Sequence, residues 1–555
     1  MKNKVLAFIF LLCFTFTIAQ CPSGSVWNVN SNTSIGTPNG SCNSHTSINV
    51  NPIVQSGNVS LLFTDGNFSN YATITNLNNG YIGIGNNVFI NNYTYIDSGT
   101  SGGITTNLSS AFRNKGDYYN NGYLFVETTG EFKNEDVFTN SGIIVINGIF
   151  SNQPADPTNI FQNESNTSAI VYGNNNGIFN NYATFLNKEN SIFDFMILNY
   201  TNSVLLNSGT FKIKRNSTNS GDITTTSPGV FEIYNNAVFD NNAIFTTNGQ
   251  LIIQPNSSFV NIGNFTINYS TTNLGLINNG GGTTVITDLL ENTGSFYNYA
   301  NLTNSNGTIL NTGNFNKYLG SVFTNNGIFT NNGHFSDEDG STLYNNGTWK
   351  GSNLSHNGTF FNDGILSPGN AVGTYQFNNN YIHQNTATAI IEVETTTNYD
   401  QVTSSNQIII NGGTLNIEFI NGFTPNAGDS YTIMTATNGI TGTFSTVNFP
   451  NAYASFMTIT YTPNSVIVNV SPTLNIALFS KEEILVFPNP TKDYFELKLP
   501  KNTVLKSLDL FDMNGKLVKT FTSFSRPFNI QDLSKGTYNI ILKTENEHFK
   551  LKIIK

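Results

Sequence analysis

The chain has 555 residues and a formal net charge of −10, and it contains 93 Asn and 48 Gly but only 10% charged residues. Without Lys2, Lys4 and the residues from 480 onwards, the body carries 9 basic and 25 acidic residues, so it cannot neutralise a phosphate backbone or bind anionic lipid by charge. With 44 Phe and 24 Tyr to bury, the composition favours a β-rich repeat over a disordered chain.

The amino terminus has the features of a secretory signal peptide, which we place at residues 1–19. Lys2 and Lys4 precede an apolar run from Val5 to Phe16. Because this run is shorter than the about 20 apolar residues that a membrane-spanning helix needs, we predict that it is removed. The mature chain would then have no transmembrane segment. A lipid anchor on Cys21 is the alternative.

Two cysteines, Cys21 and Cys42, remain after removal of the signal peptide. In an oxidising envelope they could form a disulfide, and the alternative is two free thiols. We therefore predict that residues 20–57 form an N-terminal cap with a possible Cys21–Cys42 disulfide. Neither cysteine has a sequence context that marks it as a nucleophile.

Between residues 58 and 365 one short pattern recurs: an apolar residue, any residue, Asn, any residue, Gly or Ala, any residue, and again an apolar residue. Clear examples run from Leu205 to Phe211, from Phe259 to Phe265 and, twice in succession, from Phe323 to Phe335. A spacing of six fits short strands separated by Asn-Gly corners better than a helix or a long strand. We expect the Asn and Gly of these corners to adopt positive φ.

Related stretches return at intervals of roughly 20 residues, which is typical of one coil of a solenoid. The predicted fold class is therefore all-β, an Asn/Gly-rich parallel β-solenoid (β-helix) with Asn stacked on Asn and Phe on Phe. One coil cannot bury its own Phe side chains, so neighbouring coils must stabilise each other. Because Asn-Gly is also a strong hairpin signal, an antiparallel barrel or sandwich is the alternative.

Few residues in the repeat suggest chemistry. The acidic run from Asp337 to Asp339, near His334, could be a weak Ca²⁺ loop, but we interpret it as a solvated corner. Lys212 and Lys214 lie on one side of a predicted strand and would need acidic partners to form a sugar-carboxylate clamp, so we interpret them as a solvated face. Arg215 belongs to the same basic group.

Two other residues of the repeat are interpreted as structural. His356 takes the position of Asn in the stretch from Leu354 to Phe360, so it is a corner variant and not a catalyst. Trp349 takes an apolar position of the pattern, and we assign it to the core. No catalytic, cofactor-binding or metal-binding residue is predicted.

The pattern changes from residue 366 to residue 470. Successive phrases include Leu366-Ser367-Pro368-Gly369, Tyr399-Asp400-Gln401-Val402 and Gly442-Thr443-Phe444. Their order resembles the carboxyl-terminal end of the passenger β-helix in autotransporters and similar surface adhesins. The resemblance implies that this segment completes and caps the β-helix. We place a linker at residues 471–483, and we expect no membrane barrel after it, in contrast to autotransporters.

The last segment, residues 484–555, is predicted to form a small antiparallel β-sandwich domain. Its sequence motifs resemble the type A C-terminal sorting domain of the type IX secretion system in Bacteroidota. The matching positions that we single out are Pro488, Asn489, Pro490, Gly515, Gly536 and Tyr538. The resemblance implies recognition by the type IX secretion machinery, passage through the outer membrane, and usually removal of the domain with transfer of the body to surface lipopolysaccharide.

Together these features predict a secreted or cell-surface, non-catalytic, adhesin-like β-solenoid that contacts a polysaccharide or an extracellular matrix. Scarce charge favours this reading over a polysaccharide lyase or glycoside hydrolase on the same scaffold, because such sites need convergent ionisable groups. A purely structural spacer is the third possibility.

Overall fold

The computed structural model describes residues 111–555 except 129, 154–159, 166–168, 174–176, 353, 472–483, 500–503 and 545–547. It also describes eleven short strands between residues 27 and 106. The predicted signal peptide and the Cys21–Cys42 disulfide lie outside the described residues. No helix in this described part is long and apolar enough to cross a membrane.

The repeat folds into a three-sided coil because each six-residue step contains a strand of about four residues and a two-residue corner. One such coil consists of the strands Val322–Asn325, Ile328–Asn331 and His334–Asp337, after which a longer corner leads to Thr342–Asn345. The chain thus returns to its starting face after 20 residues. Neighbouring coils pair in parallel, with Val322 opposite Thr342 and Asn325 opposite Asn345. This confirms the parallel β-solenoid and excludes the antiparallel alternative for the described coils.

Each face of the solenoid is a continuous parallel ladder of strands. The first face contains Trp27–Val29, Ile53–Gln55, Ile74–Asn76, Tyr95–Asp97, Tyr118–Asn120, Phe138–Asn140, Ile160–Asn163, Thr184–Asn187, Val204–Asn207, Asn264–Ile267, Thr283–Ile286, Asn301–Asn304, Val322–Asn325, Thr342–Asn345, Thr359–Asn362, Tyr381–His383, Ile408–Ile410 and Ile440–Gly442. The second face contains Thr33–Ile35, Ser60–Phe63, Tyr81–Ile84, Ile104–Thr106, Tyr123–Val126, Ile143–Ile146, Ile170–Gly173, Ile192–Phe195, Thr210–Ile213, Thr271–Asn273, Leu289–Asn292, Thr308–Asn311, Ile328–Asn331, Thr348–Gly351, Ile365–Pro368, Thr388–Val393, Thr414–Phe419 and Thr446–Asn448. Two long strands, Asp222–Ile233 and Ile244–Ile253, belong to both faces.

The third face contains Thr46–Asn49, Asn67–Asn70, Val88–Asn91, Ala111–Asn114, Glu131–Asn134, Ile149–Asn152, Ile178–Asn181, Ile197–Asn199, Ser217–Asn219, Val238–Asn241, Ser258–Asn261, Leu276–Asn279, Ser295–Asn298, Asn314–Lys317 and His334–Asp337. Further strands of the body are Leu354–His356, Thr374–Phe377, Gln401–Ser404, Ser430–Ala436, Met457–Tyr461 and Ser465–Val470. Those of the carboxyl-terminal domain are Leu485–Phe487, Tyr494–Lys498, Leu505–Phe511, Leu517–Phe521, Phe528–Asn529, Thr537–Thr544 and His548–Ile554.

Buried asparagines form hydrogen-bonded ladders at the ends of the strands. On the third face, Asn114 donates its amide to Asn134 at 2.9 Å, and the same bond repeats coil by coil until Asn279 donates to Asn298 at 2.7 Å. Many of these amides also donate to a backbone carbonyl at the start of the next strand. The ladders therefore satisfy buried polar groups inside an otherwise apolar core, as the sequence predicted.

Aromatic side chains stack inside the same coils. On the third face Phe112, Phe132 and Phe150 lie parallel, with ring centroids 4.7 and 4.8 Å apart. Rings from the first face, such as Phe138, meet this column edge-on, 5.5 Å from Phe150. Stacked and edge-to-face pairs are the favoured arrangements for aromatic rings, so the core gains energy beyond the area that it buries. Trp349 is fully buried here, as predicted.

The prediction that the Asn and Gly of the two-residue corners adopt positive φ is wrong for the described coils. Positive φ occurs at other positions, such as Asn256 and Gly340 in the longer corners. At Gly333 and Gly347 the reason for glycine is space, because a Cβ atom would lie 2.2 Å and 2.0 Å from a carbonyl oxygen of the preceding coil. Close stacking of coils, and not backbone conformation, requires glycine at these corners.

The carboxyl-terminal domain consists of two antiparallel sheets of three and four strands. Its core includes Phe495, Leu510, Phe528 and Ile540, each 0 to 1% exposed. Gly515 has a φ of 80° at the hairpin between two strands of the larger sheet, where the sequence predicted an Asn-Gly turn. The antiparallel β-fold predicted for this segment is confirmed.

Candidate functional site

The outward side chains of the solenoid are the surface available for a partner, because alternate residues of every strand point into the core. The basic group of the sequence lies on the second face. Lys212 Nζ lies 3.2 Å from Glu232, and Lys214 Nζ lies 3.9 Å from Asp194. Both lysines therefore have the acidic partners that the sequence could not show. These half-buried pairs join neighbouring coils and leave no free basic clamp.

The third-face asparagine ladder stops at a buried group of charged residues. Lys317 takes the next ladder position after Asn298, and Asp337 takes the one after Lys317. A lysine cannot accept a hydrogen bond, so the Nδ2 of Asn298 has no partner among the described residues. The Lys317 ammonium is itself buried and donates to the carbonyl oxygen of Thr342 at 2.9 Å.

Asp337 is buried, which contradicts our interpretation of the acidic run as a solvated corner. Its carboxylate accepts hydrogen bonds from Ser341 Oγ at 2.8 Å and from the backbone amides of Asn357 and Gly358 at 2.6 and 3.1 Å. His356 Nδ1 lies 2.8 Å from Asp337 Oδ2. The run is solvated only at Glu338 and Asp339.

Burial and charge shift the pKa values of this group in ways that suit a structural role. Burial lowers the pKa of Lys317 to about 8, and the charge of Asp337 opposes that effect only in part. Burial alone would raise the pKa of Asp337, but the hydrogen bond and charge of His356, with the charge of Lys317, hold it below its usual value. Because these side chains point into the core, they cannot reach a substrate in solution.

Replacing Lys317 with Asn is expected to stabilise the protein. An asparagine side chain at this position could accept from Asn298 and donate to Asp337 and Thr342, which would complete the ladder. The pKa of Lys317 is about 8 in the folded state, which is below its value of about 10.4 in the unfolded state. Between these two pH values the unfolded state binds more protons than the folded state, so the free energy of unfolding of the wild type increases as the pH rises. Below pH 8 we expect K317N to raise the free energy of unfolding by about 1 to 3 kcal/mol.

Urea unfolding at pH 7 and at pH 10 measures this difference. The gain from K317N should shrink as the pH rises. The exposed Lys350 supplies the control, since K350N also removes one positive charge but should leave stability nearly unchanged. An equal effect of the two substitutions would show that the buried position is not what matters.

A second buried carboxyl group, that of Asp400, was not recognised as a separate site from the sequence. It accepts hydrogen bonds from the backbone amides of Gly373 at 2.7 Å and Glu392 at 2.8 Å. Burial nevertheless raises its pKa to about 8. In the sequence, Asp400 could be noticed only as part of the motif Tyr399-Asp400-Gln401-Val402, which resembles a motif of autotransporter passengers. Its two backbone partners tie neighbouring segments together, which again is a structural role.

Several of the ionisable groups that meet on the outside of the described coils are engaged in ion pairs between neighbouring coils, such as Arg113 with Glu135 and Lys212 with Glu232. Within the same residues, no group of three or more His, Cys, Asp or Glu side chains is arranged to hold a metal ion. Partly exposed tyrosines form stacked pairs at the corners that follow the third face, where Tyr182 and Tyr200, and Tyr299 and Tyr318, have ring centroids 3.9 Å apart.

Two motif residues of the carboxyl-terminal domain, Asn489 and Gly536, form hydrogen bonds with the end of its last strand and the residue after it. Asn489 donates to the carbonyl of Lys552 and accepts from the amide of Ile554, both at 2.9 Å. Gly536 and Lys555 exchange two backbone hydrogen bonds of 3.1 and 2.9 Å. Tyr538 is buried, and its hydroxyl donates to the carbonyl of Ser534 at 2.7 Å. Pro488 and Pro490 both follow cis peptide bonds in the same segment.

Comparison with known proteins identifies this domain. Residues 485–555 match the family described as a secretion system C-terminal sorting domain, which confirms the resemblance seen in the sequence. The tail directs export, so the protein reaches the cell surface or the extracellular medium and must interact with the secretion machinery. No curated protein matches the chain.

Proposed function

We propose that the exported body is a non-catalytic, adhesin-like rod that makes weak, repeated contacts with a polysaccharide or an extracellular matrix. The observation that supports this most directly is the location of the ionisable groups. Lys317, Asp337, His356 and Asp400 are all buried in the body, while outward charges such as Lys212 and Glu232 are engaged in pairs.

A repeating surface suits binding better than it suits catalysis. Each coil presents similar side chains, so a long partner can contact several coils at once and individually weak contacts add up. Hydrolysis or elimination of a glycan needs a carboxylate pair, or a base with a charge-stabilising group, facing one substrate. We propose the enzyme as the less favoured alternative and the structural spacer as the third.

A combined binding and release assay separates the three proposals. The purified full chain is incubated with immobilised glycans and matrix proteins, and both bound protein and soluble sugar are measured in the same wells. We expect retention on at least one surface without sugar release. Soluble sugar would establish an enzyme, and retention on none of the surfaces would favour a spacer.

A further inference from the structure

The outward surface of the first face differs in chemistry from that of the second. Between the strands Val204–Asn207 and Thr359–Asn362, the first face presents two outward residues per strand, and Asp222 is the one charged residue among them. The second face of the same coils carries Lys212, Glu232, Glu291 and Lys350 in its outward positions. One side of the solenoid is therefore almost neutral although the body is strongly acidic.

A row of threonines runs along this neutral face. Strand pairing places six outward residues in register, and we call them the threonine row: Thr224, Thr246, Thr266, Val285, Thr303 and Thr324. Paired strands lie about 4.8 Å apart, so the row offers a methyl group at each step and a hydroxyl group at five of the six. Its side chains are partly exposed.

Apolar and aromatic groups continue the row at both ends. Tyr344 lies opposite Thr324, and Phe361 lies opposite Tyr344, with the two rings stacked at a centroid distance of 5.1 Å. Tyr344 is 40% exposed, as is Leu206 at the other end of the row. Aromatic rings with a polar edge pack well against the C–H faces of sugars while hydroxyl groups exchange hydrogen bonds.

From this arrangement we propose that the threonine row with Tyr344 and Phe361 is a binding face for a neutral, extended polysaccharide lying along the solenoid axis. The inference rests on the proposed binding function and names its ligand class and its location. A neutral glycan has no charged groups whose hydration would be lost when it binds to this face. An anionic polymer would find no cation in the row and would be repelled by the acidic body. An extended glycan also repeats its hydroxyl groups along one axis, as the row does.

The test compares matched substitutions on two faces of the same coils. Thr266 and Thr272 lie in one coil, and Thr324 and Thr330 lie in another, with the first of each pair on the neutral face. The full chain carrying T266R and T324R is compared with the chain carrying T272R and T330R. A third variant, T266V and T324V, removes the hydroxyl groups while nearly keeping the side-chain shape. Thermal unfolding verifies that each variant is folded.

The measurement is retention on insoluble cellulose and chitin, with alginate as the anionic comparison and the matrix proteins of the binding and release assay as a further comparison. We expect the wild type to bind a neutral polymer, and the T266R/T324R variant to bind it at least about tenfold more weakly, because repeated contacts are lost together. The valine variant should also bind more weakly, and the second-face variant should bind like the wild type.

Equal losses on both faces, or unchanged binding in the first-face variants, would overturn the inference. Retention of the wild type on alginate or on a matrix protein, but on neither neutral polymer, would overturn the ligand class and leave the proposed binding function standing. Retention on no surface would overturn both.

Discussion

Deletion of residues 484–555 is expected to abolish export, leaving the body in the periplasm. The reason is that residues 485–555 form the sorting domain, which folds around a core of its own and directs export. Immunoblots of periplasm, outer membrane and medium from the native host measure the distribution. We expect the deleted chain to fall below detection outside the cell.

A transfer experiment controls for misfolding of the truncated body. Residues 484–555 are joined to a soluble periplasmic reporter that has no export signal of its own for the outer membrane. The reporter should then reach the cell surface or the medium, while the reporter alone should not. Appearance of the truncated body outside intact cells would contradict this assignment of the export signal.

Substitution of Trp349 by Ala is expected to cause a large loss of stability in the solenoid. Trp349 is fully buried, stacks on Phe329 at a centroid distance of 4.1 Å and meets Phe335 edge-on at 5.3 Å. Removing the ring leaves a cavity that the neighbouring coils cannot fill, so the free energy of unfolding should fall by about 3 to 5 kcal/mol.

The matched control is Trp349→Phe. Phe329 takes the register position of Trp349 in the preceding coil, and the indole N–H of Trp349 has no hydrogen-bond partner in the described structure. We therefore expect the Phe variant to stay within about 1.5 kcal/mol of the wild type. Urea unfolding gives the global change, and hydrogen exchange should show that lost protection is concentrated in adjacent coils. Comparable losses for Ala and Phe would argue against a cavity effect.

The asparagines of the repeat show why the fold could be predicted from the sequence. Most of the buried Asn residues end a short strand and form a hydrogen bond with the Asn one coil away. The short spacing between each such Asn and the next apolar residue is visible in the sequence, so the pattern could be recognised without the structure. The glycines were predicted at the right positions for the wrong reason. Their sequence signal is the same whether glycine supplies positive φ or space, and only the neighbouring coil decides between the two.

Lys317 and Asp337 show where sequence reasoning fails. Coils differ in length, so that successive ladder positions lie 29 residues apart at Asn152 and Asn181 but 17 apart at Asn345 and Asn362. The sequence around Asp337 does not show whether this residue occupies a ladder position or belongs to the exposed corner that follows it. The sequence also gives no reason to expect that Lys317 and His356 both lie near Asp337.

The sequence by itself determined the solenoid, the ladders, the aromatic core and the sorting domain, because each is recorded in short-range spacing or in a contiguous motif. The tertiary structure alone decided which charged residues are buried and which outward residues share a face. Burial of a charge and sharing of a face both depend on contacts between residues about one coil apart in the sequence. Only the pairing of strands from neighbouring coils brings these residues together. The buried charged group and the neutral threonine row both arise in this way, and a local pattern cannot encode either of them.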